Sequence, residues 1–178
     1  MWHVIELANR HPRVSILQPG PGVGGHCIAV DPWFIISSAP ERTRLIRAAR
    51  EVNDAKPKFV VSQIRERAER FKRPVVACLG LTYKPDVDDT RESPAIAIAA
   101  QLARAGQDRI LVADPNLTGL PEELAPLPNL SFCETLEAVR QADIVALLVA
   151  HSPFRKIPRE ELMRRVVIDA TGLTHQNA

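Results

Sequence analysis

Net charge and cysteine are both scarce in this sequence, and each scarcity narrows its class. Lys and Arg number 23 against 21 Asp and Glu, a formal +2 over 178 residues. A surplus that small, with both signs interleaved along the chain, argues against a nucleic-acid partner and fits solvated helix faces. The three cysteines, at positions 27, 78 and 133, are too widely spaced for a disulfide framework and fit a reducing cytosol. No apolar run approaches the roughly 20 residues that span a bilayer, and no basic-then-apolar segment opens the chain. A membrane partner is therefore not expected. Internal repeats and low-complexity tracts are also lacking.

What is present is enough for one ordinary domain with a helical appendage, since 46% of the residues are hydrophobic and 25% are charged. Met1 to Arg10 reads as the end of a helix. Gln18 to Pro32 holds four glycines and three prolines and is a loop with unusual backbone angles. From Pro40 an apolar stripe (Leu45, Ile46, Ala49, Val52) runs on through Val60, Ile64, Ala68 and Phe71. Pro57 lies inside it, so a kink or short break is expected between Asn53 and Lys58.

After Pro74 the pattern changes to alternating strand and helix. Val75 to Leu81, Ile110 to Ala113, Ile144 to Val149 and Val166 to Asp169 are short apolar runs, as in strands buried on both faces. Ser93 and Pro94 cap and open a helix that Gly106 ends, and a second helix covers Glu134 to Gln141. Leu117 to Pro128 is loop with one helical turn. The expected fold is α/β: a long helical connector over 1–73, then a doubly wound, mainly parallel Rossmann-like sheet over 74–178. Ligands of such a sheet lie at the strands' carboxyl ends, where Thr82 to Arg91, Asp114, His151 and Thr171 fall.

The first strand is not followed by G-x-G-x-x-G, whose glycines let a dinucleotide pyrophosphate rest on a helix N-terminus. In its place stands Lys84-Pro85-Asp86-Val87-Asp88-Asp89-Thr90-Arg91-Glu92-Ser93-Pro94. Lys84 and Arg91 flank a helix start, a good place for phosphate. They can equally pair with Asp86, and with Asp88 or Glu92, on a solvated loop. Cys27 stands in the glycine loop with His26 beside it and Asp31 four residues on, an arrangement that suits a nucleophilic thiol. Cys78 and Cys133 lie in or beside apolar runs and read as small core hydrophobes.

Residues 19–32, Pro-Gly-Pro-Gly-Val-Gly-Gly-His-Cys-Ile-Ala-Val-Asp-Pro, resemble the cysteine signature of the UDP-glucose/GDP-mannose dehydrogenase family. Residues 83–94, Tyr-Lys-Pro-Asp-Val-Asp-Asp-Thr-Arg-Glu-Ser-Pro, are similar to that family's UDP-binding signature, with a connecting helix (Arg-Glu-Val-Asn-Asp, 50–54) between them. Ala8 to Val14 and the His-Cys pair most resemble the branch acting on UDP-N-acetyl-D-mannosamine, with the UDP-glucose branch as the alternative. The resemblance covers essentially the whole chain.

It implies a UDP-sugar substrate, NAD as oxidant in two hydride transfers, and a homodimer built on the central helix. Cys27 would capture the C6 aldehyde as a thiohemiacetal and hold the later thioester, with Asp31 orienting or deprotonating water. Lys84 would bind the diphosphate, Arg13 the sugar or diphosphate from a neighbouring subunit, and Arg91 the NAD side of the cleft. Gly22, Gly24 and Gly25 would let backbone approach the sugar ring. Asp88 and Asp89 would fix the loop, His26 would give packing or polar support, and His151 reads as a satisfied surface histidine. The family's dinucleotide fingerprint, catalytic lysine and catalytic asparagine are not found in these 178 residues, so the chain alone is expected to turn over no UDP-sugar. Alternatives are a non-catalytic UDP-sugar-binding and dimerisation module, or a cysteine hydrolase pairing Cys27 with His26 or His151. His3, His11, His26 and Cys27 lack paired metal-ligand spacing, so no metal is expected.

Overall fold

A computed structural model describes residues 2–107 and 109–175; Met1, first residue of the expected opening helix, lies outside them. Its centre is a five-stranded, all-parallel sheet of β1 (Val75–Leu79), β2 (Arg109–Ala113), β3 (Leu130–Phe132), β4 (Ile144–Leu147) and β5 (Val166–Asp169). The strand order is β3-β2-β1-β4-β5.

Past the exposed Arg109 that opens β2, the central strands β1, β2 and β4 are apolar at every position because each of their faces meets a helical layer. Val76, Cys78, Ile110, Val112, Ile144 and Ala146 face α3 (Arg44–Ala68) and α4 (Pro94–Arg104). Ala77, Leu79, Leu111, Ala113, Val145 and Leu147 face α5 (Thr135–Gln141) together with Phe154 and Leu173. Leu79, Ile144 and Leu147 are fully buried, each worth about 1.5–3 kcal/mol relative to exposure. The Cys78 thiol is among them, and burial pushes its pKa up to about 12, which leaves it an inert core group.

Four strands were legible as apolar runs; β3 is the fifth. It has three residues with a serine at its middle and pairs only with β2, so no apolar run marks it. A second element absent from the sequence reading is α2 (Asp31–Ser38), which follows the glycine loop directly. Only Ile36 of this helix is buried, so its apolar residues form no inward stripe.

The break expected at Pro57 does not occur, because α3 is continuous from Arg44 to Ala68. Pro57 cannot donate to the carbonyl of Asn53. It is, however, buried in the same stripe as Val60, Val61 and Ile64, and that packing offsets the lost bond. The freed Asn53 carbonyl faces the glycine loop, 3.7 Å from where a Cβ on Gly22 would lie. At the far end of the sheet, α1 (Trp2–Ala8) lays the Trp2 ring over Gly172.

The loops beyond β1, β2, β4 and β5 gather on one edge, as parallel strands require. The order reverses between β1 and β4, and that switch point is where such sheets open a crevice. Asp169 ties the loop after β5, accepting from the amides of Thr171, Gly172 and Thr174 and from both threonine hydroxyls. Burial alone would raise its pKa, but the Thr174 and Thr171 hydrogen bonds together hold it below the usual value.

A depressed carboxyl contributes stability that is present above its unfolded pKa of about 4 and is lost as pH falls through the folded value. Asp169→Asn should therefore cost about 1–3 kcal/mol at pH 7. In urea unfolding, that difference from wild type should narrow steadily below about pH 4. A difference that stays constant down to pH 3 would contradict this role.

Candidate functional site

The glycine loop is held against both α3 and the turn that follows β1. Asn53 on α3 clamps Val23 from both sides: the Val23 amide donates to Oδ1 at 2.8 Å, and Nδ2 donates to the Val23 carbonyl at 3.4 Å. One turn earlier, buried Arg50 donates from Nη1 to the Ile28 carbonyl at 3.3 Å and from Nη2 to Asp54 at 2.7 Å. These grips lie on either side of Cys27. The sequence analysis assigns neither residue a role; both lie in the Arg-Glu-Val-Asn-Asp segment (50–54) of the connecting helix.

The loop's other contact is with residues 83–94. The Gly25 amide donates to the Arg91 carbonyl at 3.0 Å. A Cβ on Gly24 would fall 2.3 Å from the Glu92 carbonyl oxygen and 2.9 Å from Pro94 Cδ, while one on Gly25 would meet the Tyr83 ring at 3.0 Å. The glycines thus allow one loop of the chain to lie on another.

Cys27 is exposed at the top of this packed loop. Its carbonyl accepts from the Asp31 amide at 2.8 Å, so the thiol stands one turn ahead of α2 and Asp31 is the first residue of that helix. Cys133, expected to read as core, is half-buried, and partial burial raises its pKa.

Arg91 lies near enough to Cys27 for the two charges to interact. Its first partner is Asp89, with Nη2 2.6 Å from Oδ2 and Nε 3.0 Å from Oδ1. That fork holds Asp89 at about 2 and raises Arg91 above its usual value. The solvated-loop alternative places Asp88 or Glu92 opposite Arg91; Asp89 takes that place instead, its Oδ1 accepting the Arg91 backbone amide at 3.0 Å as well as the guanidinium. Its companion pair, Lys84 with Asp86, is also not formed. Asp86 turns away to Ser152, accepting from its amide at 2.8 Å and its hydroxyl at 2.6 Å. Lys84 is exposed with its Nζ 5.4 Å above the Tyr83 ring, and it has no carboxylate partner among the described residues.

Between the two loops is a cleft of about 360 Å³ whose lining includes Leu17, Gly22, Gly24, Lys84, Leu148 and Thr171. It opens at the β1/β4 switch point. Arg13 is exposed and outside this lining; its backbone amide donates to His11. A larger cavity of about 590 Å³, beside Phe154, Leu162 and Val167, touches none of the signature residues.

His151 is not on the surface; it is wholly buried. The apolar run of β4 carries it inward beneath the switch point, where polar groups from β1 and β2 satisfy it. Its Nε2 lies 3.0 Å from Asp114 Oδ2 and 3.1 Å from Thr82 Oγ1. Its Nδ1 accepts the Asp86 amide at 3.1 Å and faces Asn116 Nδ2 at 2.9 Å. A ring enclosed in this way cannot serve Cys27 as a base, which removes one form of the hydrolase reading. His26 is exposed and acts weakly on Asp89.

Asp114 has a second task. Its Oδ2 also accepts the amides of Leu81 at 2.7 Å and Thr82 at 3.3 Å. The helix after β1, α4, begins only at Pro94, where Ser93 takes the Ala95 amide, so no glycine-rich turn leads from β1 onto a helix N-terminus as a dinucleotide pyrophosphate requires. Burial alone would raise Asp114, but the bonds from His151, Leu81 and Asn116 hold it below the usual value. This sheet's first turn therefore does not fit a dinucleotide. No group of three or more His, Cys, Asp or Glu able to hold a metal occurs among the described residues.

These features define the class: a Rossmann-like sheet whose switch-point cleft is bordered by a cysteine-bearing glycine loop. The chain belongs to the UDP-glucose/GDP-mannose dehydrogenase family, matching its central domain over residues 1–55 and its UDP binding domain over residues 77–176. An NDP-N-acetyl-D-galactosaminuronic acid dehydrogenase of Ralstonia nicotianae is 53% identical over 97% of this chain and 40% of its own length. A UDP-N-acetyl-D-mannosamine dehydrogenase of Salmonella typhi is 48% identical over 97% of this chain and 43% of its own. The structure of a UDP-D-ManNAc dehydrogenase from Pyrococcus horikoshii superposes with a TM-score of 0.78 at 32% identity, covering 97% of this chain and 40% of that one. The chain thus spans about 40% of the length of the curated relatives it matches.

The loop-on-loop packing predicts a sharp contrast between two glycines. Gly24→Ala, whose Cβ meets a backbone carbonyl, should lower stability by about 1–3 kcal/mol. Gly20→Ala, with nothing within 4 Å, should leave it within about 0.5 kcal/mol of wild type. Equal urea midpoints for both variants would show that the loop does not rest on Glu92.

Proposed function

We propose that this chain is the sugar-nucleotide half of an NAD-dependent nucleotide-sugar 6-dehydrogenase, oxidising the C6 alcohol of a UDP-2-acetamidohexose to a carboxylate. The observation that carries the reading is the exposed Cys27 thiol on a loop packed over the turn that presents Lys84 and Arg91. Residues 1–73 would form the cysteine loop and dimerisation helix, and 74–178 the UDP-binding domain.

The division of labour follows from chemistry. A thiolate at Cys27 attacks the C6 aldehyde, forming a carbon–sulfur bond and keeping a reactive intermediate from escaping. After the second oxidation, water hydrolyses the thioester, with Asp31 one turn away to orient it or take its proton. Lys84, an ammonium with no competing carboxylate among the described residues, binds the diphosphate. Arg91, already oriented by Asp89, faces the side from which oxidant approaches. Gly22 and Gly24 line the cleft, so their backbone lies beside the sugar, and Arg13 reaches the sugar or diphosphate of a partner subunit. The hydride acceptor is not assigned to this sheet, because no glycine-rich turn joins β1 to a helix N-terminus. In isolation these residues bind nucleotide sugar without oxidising it.

UDP-N-acetylmannosamine is the first candidate substrate and its galacto isomer the second, since relatives named for both sugars match nearly the whole chain. A homodimer is supported by Leu45, Val52 and Phe59, exposed at seven-residue intervals along α3, next to Trp33, Phe34 and Ile35 of α2.

Titration calorimetry with UDP tests the reading. Wild type should bind, and Lys84→Ala should weaken binding about tenfold or more, the value of a hydrogen bond to a charged group. Absence of UDP binding by wild type, or unchanged affinity in the variant, would contradict it.

A further inference from the structure

His151 is one of the largest fully buried side chains, and the reaction outlined above makes no use of it. A buried imidazole is costly unless both its nitrogens are satisfied. The surroundings of this one are specific enough to assign its tautomer. The Asp86 amide can only donate, so Nδ1 must accept, and Asn116 Nδ2 supplies a second donor to the same nitrogen. The ring proton is therefore on Nε2, directed at Asp114 Oδ2 and Thr82 Oγ1. Thr82 can receive it, because its own hydroxyl proton goes to the Lys84 carbonyl at 2.9 Å.

These bonds join three carboxyl ends of the sheet. Asp114 and Asn116 follow β2, Thr82 and Asp86 follow β1, and His151 itself follows β4. Lys84 lies midway between Thr82 and Asp86, and both of those residues are tied to the imidazole. Asp86 also has a φ of 60°, a left-handed conformation that a non-glycine residue keeps only when its surroundings hold it there. The Nδ1 bond grips its amide from one side, and Ser152, the next residue after His151, grips its carboxylate from the other. Lys84 has no carboxylate partner among the described residues, and its Nζ lies over the ring of the neighbouring Tyr83 at 5.4 Å, so its direction follows from the backbone of the turn that carries both.

We propose that His151 is a positioning residue for nucleotide diphosphate: its Nδ1 fixes the Thr82–Asp86 turn and so aims Lys84 into the cleft. This role rests on the reading that Lys84 binds the diphosphate of a nucleotide sugar. The ring does not touch ligand, since it is fully enclosed.

Two substitutions separate the two nitrogens. His151→Asn can place an acceptor oxygen where Nδ1 stood while giving up the Nε2 donor. His151→Gln can keep a donor near the Nε2 position while giving up the Nδ1 acceptor. Calorimetry with UDP and with uridine, which lacks the phosphates, is the measurement. UDP should bind His151→Gln at least about tenfold more weakly than wild type, with uridine affinity within about twofold, while His151→Asn should recover most of the UDP affinity.

If Lys84→Ala weakens UDP but His151→Gln binds it like wild type, the positioning role is overturned and the proposed function stands. Equal losses of UDP and uridine affinity in both variants would also overturn it, as general damage to the fold. If wild type binds no UDP, the proposed function falls and this role falls with it. Nitrogen-15 NMR of the wild-type ring gives an answer that does not depend on any variant folding. The Nε2–H tautomer with a bare Nδ1 supports the role, and a proton on Nδ1 overturns it.

Discussion

The contact on which the rest depends is that of two loops, one of which brings only glycine backbone to the other. Gly24 sits where any Cβ would run into the Glu92 carbonyl, and the Gly25 amide is bonded to Arg91. This contact puts an exposed cysteine from the helical segment over the carboxyl edge of a sheet some fifty residues later in the chain. Asn53 and Arg50 then fix the loop from behind, gripping Val23 and Ile28 on either side of the thiol. Glycine supplies the close approach, and the helix supplies the rigidity that a glycine-rich segment lacks.

Beneath that contact, the switch point of the sheet is filled by a polar network. Asp114 closes the end of β1 by taking the amides of Leu81 and Thr82, and His151 joins the same carboxylate to the turn that carries Lys84.

Much of this was legible in the sequence, for physical reasons. The central strands β1, β2 and β4 are buried on both faces and so continuously apolar past Arg109, which makes them readable as runs; β5, at the sheet's edge, is half-buried but its Val-Val-Ile run is apolar as well. The Ser93–Pro94 start of α4 was equally plain, and Ser93 does accept the Ala95 amide. Elements whose identity depends on tertiary contact could not be read. β3 pairs at an edge with three mixed residues, and α2 shows only Ile36 to the interior. Pro57 suggested a break because local propensity counts its missing donor and cannot count its burial. The chemistry divides the same way. Cys27, Lys84 and Arg91 stand out as candidates from motifs, but the partner expected for Arg91 was Asp88 or Glu92, and the turn's geometry selects Asp89 instead. The depth of His151 and the grips of Arg50 and Asn53 depend on contacts 22 to 69 residues apart in sequence.

The account stands on the Cys27 thiol and the diphosphate cleft being one site. Iodoacetamide alkylation of the wild-type protein, followed peptide by peptide with and without UDP-N-acetylmannosamine, tests this directly, with half-buried Cys133 as internal reference. At a ligand concentration ten times Kd, the alkylation of Cys27 should slow about tenfold while Cys133 is unaffected. An unchanged Cys27 rate, with calorimetry showing the ligand bound, would place the thiol outside the cleft and contradict the account.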